Sequence, residues 1–244
     1  TLEVGSLYVG SSGSGTLSAA ANSTIKTANA FIGMYFTSAG SMTLDNGTQW
    51  TNTGDIEVGH DGAAALTVKG GADIQTHWFG VARFSSSMAT MTLTGVGSTL
   101  TVTDNIVLGA NHGNAQMSVL AGASMSASAV IIGNSEGGSG YLQVNAASAS
   151  NTNSVTVGDN GFGALDIHNG AAWNFGPNGL FIGSGPSGSG IVKISGASTT
   201  LTNPGTVNVG LDGEGTLELF NEASWGINFL NAGNTENSIG RVLL

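Results

Sequence analysis

Apolar and polar residues alternate along this chain in short runs, and the runs return in a fixed order. Ile56 and Val58 flank Glu57, Leu66 and Val68 flank Thr67, and Ile74 follows Asp73. Later the same order is spelled by Val155 and Val157, then Leu165 and Ile167, then Trp173. Period-two alternation over four to seven residues, broken by Gly, Asn, Asp and Ser, predicts strands joined by turns. No stretch carries a sustained helical period. Each unit has room for three short strands and three turns.

Two columns set the period. The first is the glycine that closes an apolar pair: Gly10, Gly33, Gly59, Gly80, Gly109, Gly133, Gly158, Gly183 and Gly210. The second is Ile25, Trp50, Ile74, Leu100, Met125, Ser150, Trp173, Leu201 and Trp225. Each spans 200 residues in eight steps, or 25 residues per repeat. Gly80 fits least well, with neighbouring steps of 21 and 29 residues, and Ser150 is the one polar member of its column. A unit of this size cannot bury its apolar face alone and must stack on copies of itself. The expected fold is all-β: a parallel β-solenoid of about nine rungs, a rod on the order of 40 Å long at the usual strand spacing. Val, Ile, Leu and Trp columns are expected inside, and Thr, Ser, Asn and Asp outside. An antiparallel sandwich also has short, regular strands, but it does not return the same residue type every 25 positions. Residues 1–225 are expected to form the repeat domain, and 226–244, which depart from the phrase, an irregular C-terminal cap or junction. The repeat starts at residue 1 with no capping phrase, as expected for part of a longer array or a trimmed chain.

Composition narrows the function. Forty glycines against three prolines suit a chain that turns often, while proline would remove ladder donors. Only 8% of residues are charged, yet 15 acidic against 5 basic residues leave a net charge of −10. Lys26, Lys69, Arg83, Lys193 and Arg241 are too few and too scattered for a phosphate-binding track, which disfavours nucleic acid. There is no cysteine, which suits a chain that crosses an oxidising compartment unfolded. No run of 18 apolar residues exists, so no direct membrane insertion is expected of this segment.

Candidate chemistry is sparse. Asp61, Asn111, Asn134, Asp159, Asn160 and Asp212 sit in turns after the closing glycines. Oxygen ligands there would suit calcium, but the positions vary between rungs and Asx-turns explain them. His60 and His112 occupy comparable turns two rungs apart, roughly 10 Å along the axis, too far to share a zinc ion. Asp55, Glu57, Asp61 and Asp73, near His77 and Arg83, form the densest acidic region. Glu57 lies between two apolar residues and should face outward. The stretch from His77 to Met88 reads as irregular and is where a carboxylate-based cleft would be sought. Trp50, Trp173 and Trp225 share a column with Ile, Leu and Met and are expected in the core, whereas Trp78 lies outside it. Trp78, Asp61 and Asp73 are the candidates for ligand contact. No catalytic residue, metal site or cofactor is expected. Thr-x-Thr rows (Thr92 and Thr94, Thr99 and Thr101, Thr200 and Thr202) occur on too few rungs for a flat ice-binding face.

The phrase Val9-Gly10-Ser11-Ser12-Gly13-Ser14-Gly15-Thr16-Leu17 recurs as Ile132-Gly133-Asn134-Ser135-Glu136-Gly137-Gly138-Ser139-Gly140-Tyr141-Leu142. It recurs again as Ile182-Gly183-Ser184-Gly185-Pro186-Ser187-Gly188-Ser189-Gly190-Ile191-Val192. It resembles the repeats of autotransporter passenger domains, bacterial proteins secreted through an outer-membrane barrel, over nearly all the chain up to Trp225. The resemblance implies a right-handed parallel β-helix at the bacterial cell surface, serving adhesion, aggregation or biofilm. It brings no catalytic residues. The expected function is therefore an extracellular structural or adhesive solenoid that engages copies of itself or surface glycans and proteins. The alternatives are an end-to-end polymerising filament subunit and, less favoured, a polysaccharide-active β-helix enzyme.

Overall fold

In the computed structural model, which describes residues 1–20, 22–84, 87–202 and 205–244, every regular element among the described residues is a strand. The chain winds through about nine turns of roughly 25 residues. A full turn has three sides. The long face is a 10-stranded parallel sheet running from Ser14–Ala19 through strands such as Met88–Thr94 and Phe162–His168 to Ile239–Leu243. The first short face holds strands such as Gln49–Asn52, Thr99–Val102 and Ala172–Asn174. The second short face holds Asp55–Val58, Trp78–Val81, Asn105–Leu108 and their equivalents. The two short faces belong to one 17-stranded sheet because Leu2–Val9 and Thr24–Ile32 run unbroken through both.

The alternation seen in the sequence sets what faces in. On the long face Met42, Leu66, Met91, Met117, Leu142, Leu165, Val192 and Leu217 stack in one interior column. On the second short face Val58, Val81, Leu108, Ile132, Val157, Ile182 and Val209 do the same. Trp50 and Trp173 are fully buried in the first short face, as expected of core residues. That face also carries polar groups inward. Thr27 Oγ1 donates to Asn52 Oδ1 at 2.6 Å, Asn52 Nδ2 donates to Thr76 Oγ1 at 3.0 Å, and Trp50 Nε1 donates to Thr27 Oγ1 at 2.9 Å. Further along, Trp173 Nε1 donates to Asn151 Oδ1 at 2.7 Å. These two indole N–H groups find their acceptors on the preceding turn, as most buried donors do, whereas the buried Trp225 Nε1 has no hydrogen-bond partner among the described residues.

Three details of the sequence reading are corrected by the register. Gly80 is not a corner. It lies inside Trp78–Val81 opposite Glu57 and Val107, and the left-handed corner of that turn is Ala82, with φ +53°. The other predicted structural glycines, Gly10, Gly33, Gly59, Gly109, Gly133, Gly158, Gly183 and Gly210, all take positive φ, and Gly233 continues the series. Ser150 is not inward: Ala149 pairs with Met125 and Trp173, and its small side chain lies beside the Trp173 indole column. The segment 226–244 is not an irregular cap. Phe229–Ala232 and Ile239–Leu243 add in parallel to the second short face and the long face. Residues 221–228, where earlier turns place the strand of the first short face, carry no strand, and there Trp225 packs on Phe175 at 5.3 Å between ring centres.

Candidate functional site

The outward column of the second short face changes character along the rod. In order it reads Tyr8, Phe31, Glu57, Gly80, Val107, Ile131, Thr156, Phe181, Asn208 and Asn231. Tyr8 and Phe31 stack with ring centres 5.4 Å apart. Glu57 points outward, as its alternation requires, yet its side chain is only 3% exposed. It is covered by side chains from two successive corners. His60, one residue past the Gly59 corner, brings Nδ1 onto Oε2. Arg83, one residue past the Ala82 corner, donates from Nη1 to Oε1. A carboxylate accepting at Nδ1 places the imidazole proton there.

Rings wall in this ion cluster. The His60 imidazole meets Phe31 edge-on at 5.8 Å and Phe84 at 4.7 Å. The Arg83 guanidinium lies 5.3 Å from the Trp78 ring centre and 5.2 Å from that of Phe84, within the range of cation–π attraction. Trp78 is held in turn because the outward position beside it is glycine: a Cβ at Gly80 would collide with the indole's six-membered ring. Beside the cluster opens a cleft of about 220 Å³, with Trp78, Gly80, Arg83, Val107, Asn111 and Asn134 among its walls. A larger hollow of about 430 Å³ outside Lys26, Thr51 and Thr53 contains no aromatic residue, and its only ion pair is the exposed Lys26–Glu3 contact at 3.9 Å.

Of the three predicted contact residues, only Trp78 joins this site. Asp61 follows His60 in the corner turn, and no side-chain hydrogen bond is formed to it among the described residues. Asp73 belongs to the first short face, where it accepts hydrogen bonds from Thr99 Oγ1 and, at 2.9 Å, from Gln75 Nε2. Asp55 and His77 form an exposed pair at 3.8 Å, apart from Glu57. The stretch from His77 to Met88 is no irregular break: Trp78–Val81 and the start of Met88–Thr94 are regular strands, and Ser85 and Ser86 lie outside the described residues. Tyr8, Phe31 and Phe84 were missed, and His60 was weighed only as a zinc ligand. The signal was present, since Tyr8, Phe31 and Glu57 each stand two places before a corner glycine. Taking Gly80 for a corner shifted the fourth turn by two residues and broke the column.

Elsewhere the outer surface is built of isolated pairs. On the long face Tyr141 Oη donates to Asp166 Oδ2 at 2.8 Å. Burial, reinforced by that hydrogen bond and the negative charge of Asp166, holds the Tyr141 hydroxyl protonated well above the usual tyrosine range. Burial likewise raises the Asp159 carboxyl, opposed by a contact with Asn160. Among the described residues no cluster of three or more His, Cys, Asp or Glu is arranged to hold a metal ion, and no helix is long and apolar enough to cross a membrane. No protein-family model, no curated protein and no solved structure matches the chain.

Proposed function

We propose that this chain is the rod of an extracellular attachment protein, a β-solenoid whose interior provides rigidity and whose lateral surface makes contact with other molecules. The observation that carries the reading is the contrast between a uniform inside and a differentiated outside. The interior columns repeat with little variation, while one face gathers Tyr8, Phe31, His60, Trp78, Arg83 and Phe84 over four adjacent turns. A merely structural ladder has no need for a guanidinium held between two rings above a buried carboxylate. The surface elsewhere is dominated by Ser, Thr and Asn with few charges, so long faces approach other surfaces with little like-charge repulsion.

The test is display of the chain on a cell that does not otherwise adhere, scoring attachment to glycan-coated surfaces and clumping at low and high salt. Attachment that persists at high salt is the expected result, because aromatic and neutral polar contacts are poorly screened. Displayed, folded protein that produces neither attachment nor clumping overturns the reading.

A further inference from the structure

We propose that the cleft between Trp78, Arg83, Asn111 and Asn134 binds one neutral pyranose unit of a glycan; the inference rests on the attachment reading and names the site and ligand class for it.

Four observations lead there. The first is an interruption of the outward column. Gly80 stands where neighbouring turns carry Glu57 and Val107, and the Trp78 indole lies across it, so that the ring forms one wall of the cleft beside Val107 and Ala110. The second is the set of polar groups around it. Arg83 commits Nη1 to Glu57, and among the described residues its other nitrogens, the Trp78 indole N–H and the carboxamides of Asn111 and Asn134 make no other side-chain hydrogen bond. The two carboxamides donate and accept while the guanidinium and the indole N–H only donate; set beside an aromatic wall and the apolar Val107 and Ala110, they match a ring bearing hydroxyls on its edge and C–H groups on its faces.

The third observation is placement. Asn111 and His112 are consecutive residues at φ +46° and +69°, a turn that Asn and His adopt more readily than other side chains, and it brings Asn111 to the rim of the cleft. The fourth is charge. The Arg83 charge is already matched by Glu57, and the whole chain carries −10, so the cleft offers donors with no net attraction for an anion. Its volume of about 220 Å³ lies below the range of roughly 300–1,000 Å³ for drug-sized ligands. It holds one ring, with the rest of a glycan lying along the outer face.

The experiment is saturation-transfer NMR on the intact chain with methyl glycosides of glucose, galactose, mannose and N-acetylglucosamine, and with glucuronate as the charged comparison. At least one neutral glycoside is expected to receive saturation and to shift the Trp78 indole N–H resonance. The double variant Asn111→Gly, Asn134→Ala, whose glycine retains the left-handed corner, is expected to weaken binding at least tenfold with an unchanged circular dichroism spectrum. Absence of saturation transfer to every neutral glycoside, equal binding by the double variant, or tighter binding of glucuronate each overturns the assignment. Cell attachment that survives the double variant unchanged overturns the site and leaves the attachment reading standing. Glycoside binding by the purified chain, with no attachment by displayed protein, does the reverse.

Discussion

The edge where the second short face turns into the long face is built in two ways. Over most of the rod a left-handed glycine stands against a second glycine in the next turn: Gly109 against Gly140, Gly133 against Gly163, Gly158 against Gly190, Gly183 against Gly215. There is no room there for a methyl group. A Cβ on Gly158 would collide with the Ser189 carbonyl and lie 2.7 Å from the Gly190 nitrogen. In three turns the second residue is alanine instead: Ala64, Ala89 and Ala115, aligned in one column. Gly33 and Gly59 stand against the first two, and by the same register Ala82 stands against the third. At Gly59 the nearest obstacle to a Cβ is the Ala89 methyl at 2.6 Å, with no backbone atom closer than 3.3 Å. At Gly33 a Cβ would still meet the Ala63 carbonyl, so the edge is looser only from Gly59 to Ala82. The residues after the corners differ in parallel. The glycine-facing corners lead into small or polar residues such as Asn134-Ser135, Asp159-Asn160 and Ser184-Gly185, whereas Gly59 and Ala82 lead into His60-Asp61 and Arg83-Phe84. The ion cluster of Glu57, His60 and Arg83 therefore sits where the edge is least tightly closed, while the interior columns continue unchanged beneath it.

Substitutions at matched corners test this contrast most strongly. Gly158→Ala combines a left-handed penalty with collision against backbone that cannot move aside, and is expected to cost roughly 3 kcal/mol or more. Gly59→Ala reproduces what Ala82 already does and is expected to cost about half as much. Chemical denaturation followed by circular dichroism reads both, and equal losses would show that the two kinds of corner do not differ in packing.

The ion pairs of the two regions differ in the same sense. Arg83→Met leaves the nearly inaccessible Glu57 carboxylate with His60 as its only ionic partner, and is expected to cost about 2 kcal/mol, since removing one member of a buried pair strands the other charge. In the second region Lys193 and Glu218 face each other at 3.8 Å, with Lys193 exposed and Glu218 half-buried. Lys193→Met is expected to change stability by less than about 0.5 kcal/mol. A double-mutant cycle at each pair gives the coupling directly, and similar couplings would remove the distinction between a built cluster and a solvated pair.

The interior is expected to show no such asymmetry. Thr27→Val strands the Trp50 indole N–H in the first region, and Asn151→Leu strands that of Trp173 in the second. An unsatisfied buried donor costs about 1–3 kcal/mol, and the two losses should agree within about 2 kcal/mol on that scale, Thr27→Val losing more because Asn52 Oδ1 also loses its donor. A large difference would mean that the core, too, is specialised by region.

The same contrast explains what could be read before the register was known. The period, the strands and the inward columns follow from alternation, which is local and repeats along the whole chain. The site was only partly legible, because it joins residues one or two turns apart: Glu57 to Arg83, Phe31 to His60, Trp78 to the turns of Asn111 and Asn134. Such a join appears only when every turn is aligned to the residue, and a one-residue slip in a strand exchanges inside for outside. Ser150 was assigned inward through such a slip, in place of Ala149. In the fourth turn the slip was two residues. It kept the faces but took Gly80 for the corner, and so concealed both the glycine under Trp78 and the alanine that replaces the corner glycine. The tail misled differently: its phrase lacks the apolar density of earlier turns, yet Gly233 and Gly240 keep their places in the two corner columns.

Ala82 itself gives the smallest and most diagnostic effect. Its φ of +53° carries a left-handed cost of about 1–2 kcal/mol, which Ala82→Gly removes. The glycine also gives the unfolded chain more freedom, which offsets about 0.4–1 kcal/mol of that gain, and it removes a fully buried methyl, which offsets about 0.8 kcal/mol more. The net expectation is a change within about 0.5 kcal/mol of zero, visible as a denaturation midpoint that barely moves. The informative readout is the cluster. With a glycine at 82 that edge becomes a glycine against Ala115, as Gly59 stands against Ala89, which would move Arg83 and Phe84 relative to Glu57 and Trp78. A folded chain whose Trp78 resonance has shifted would show that the alanine is kept to hold the edge open for the cluster. A folded chain with an unshifted Trp78 would show that the alanine corner and the aromatic site occur together without one depending on the other.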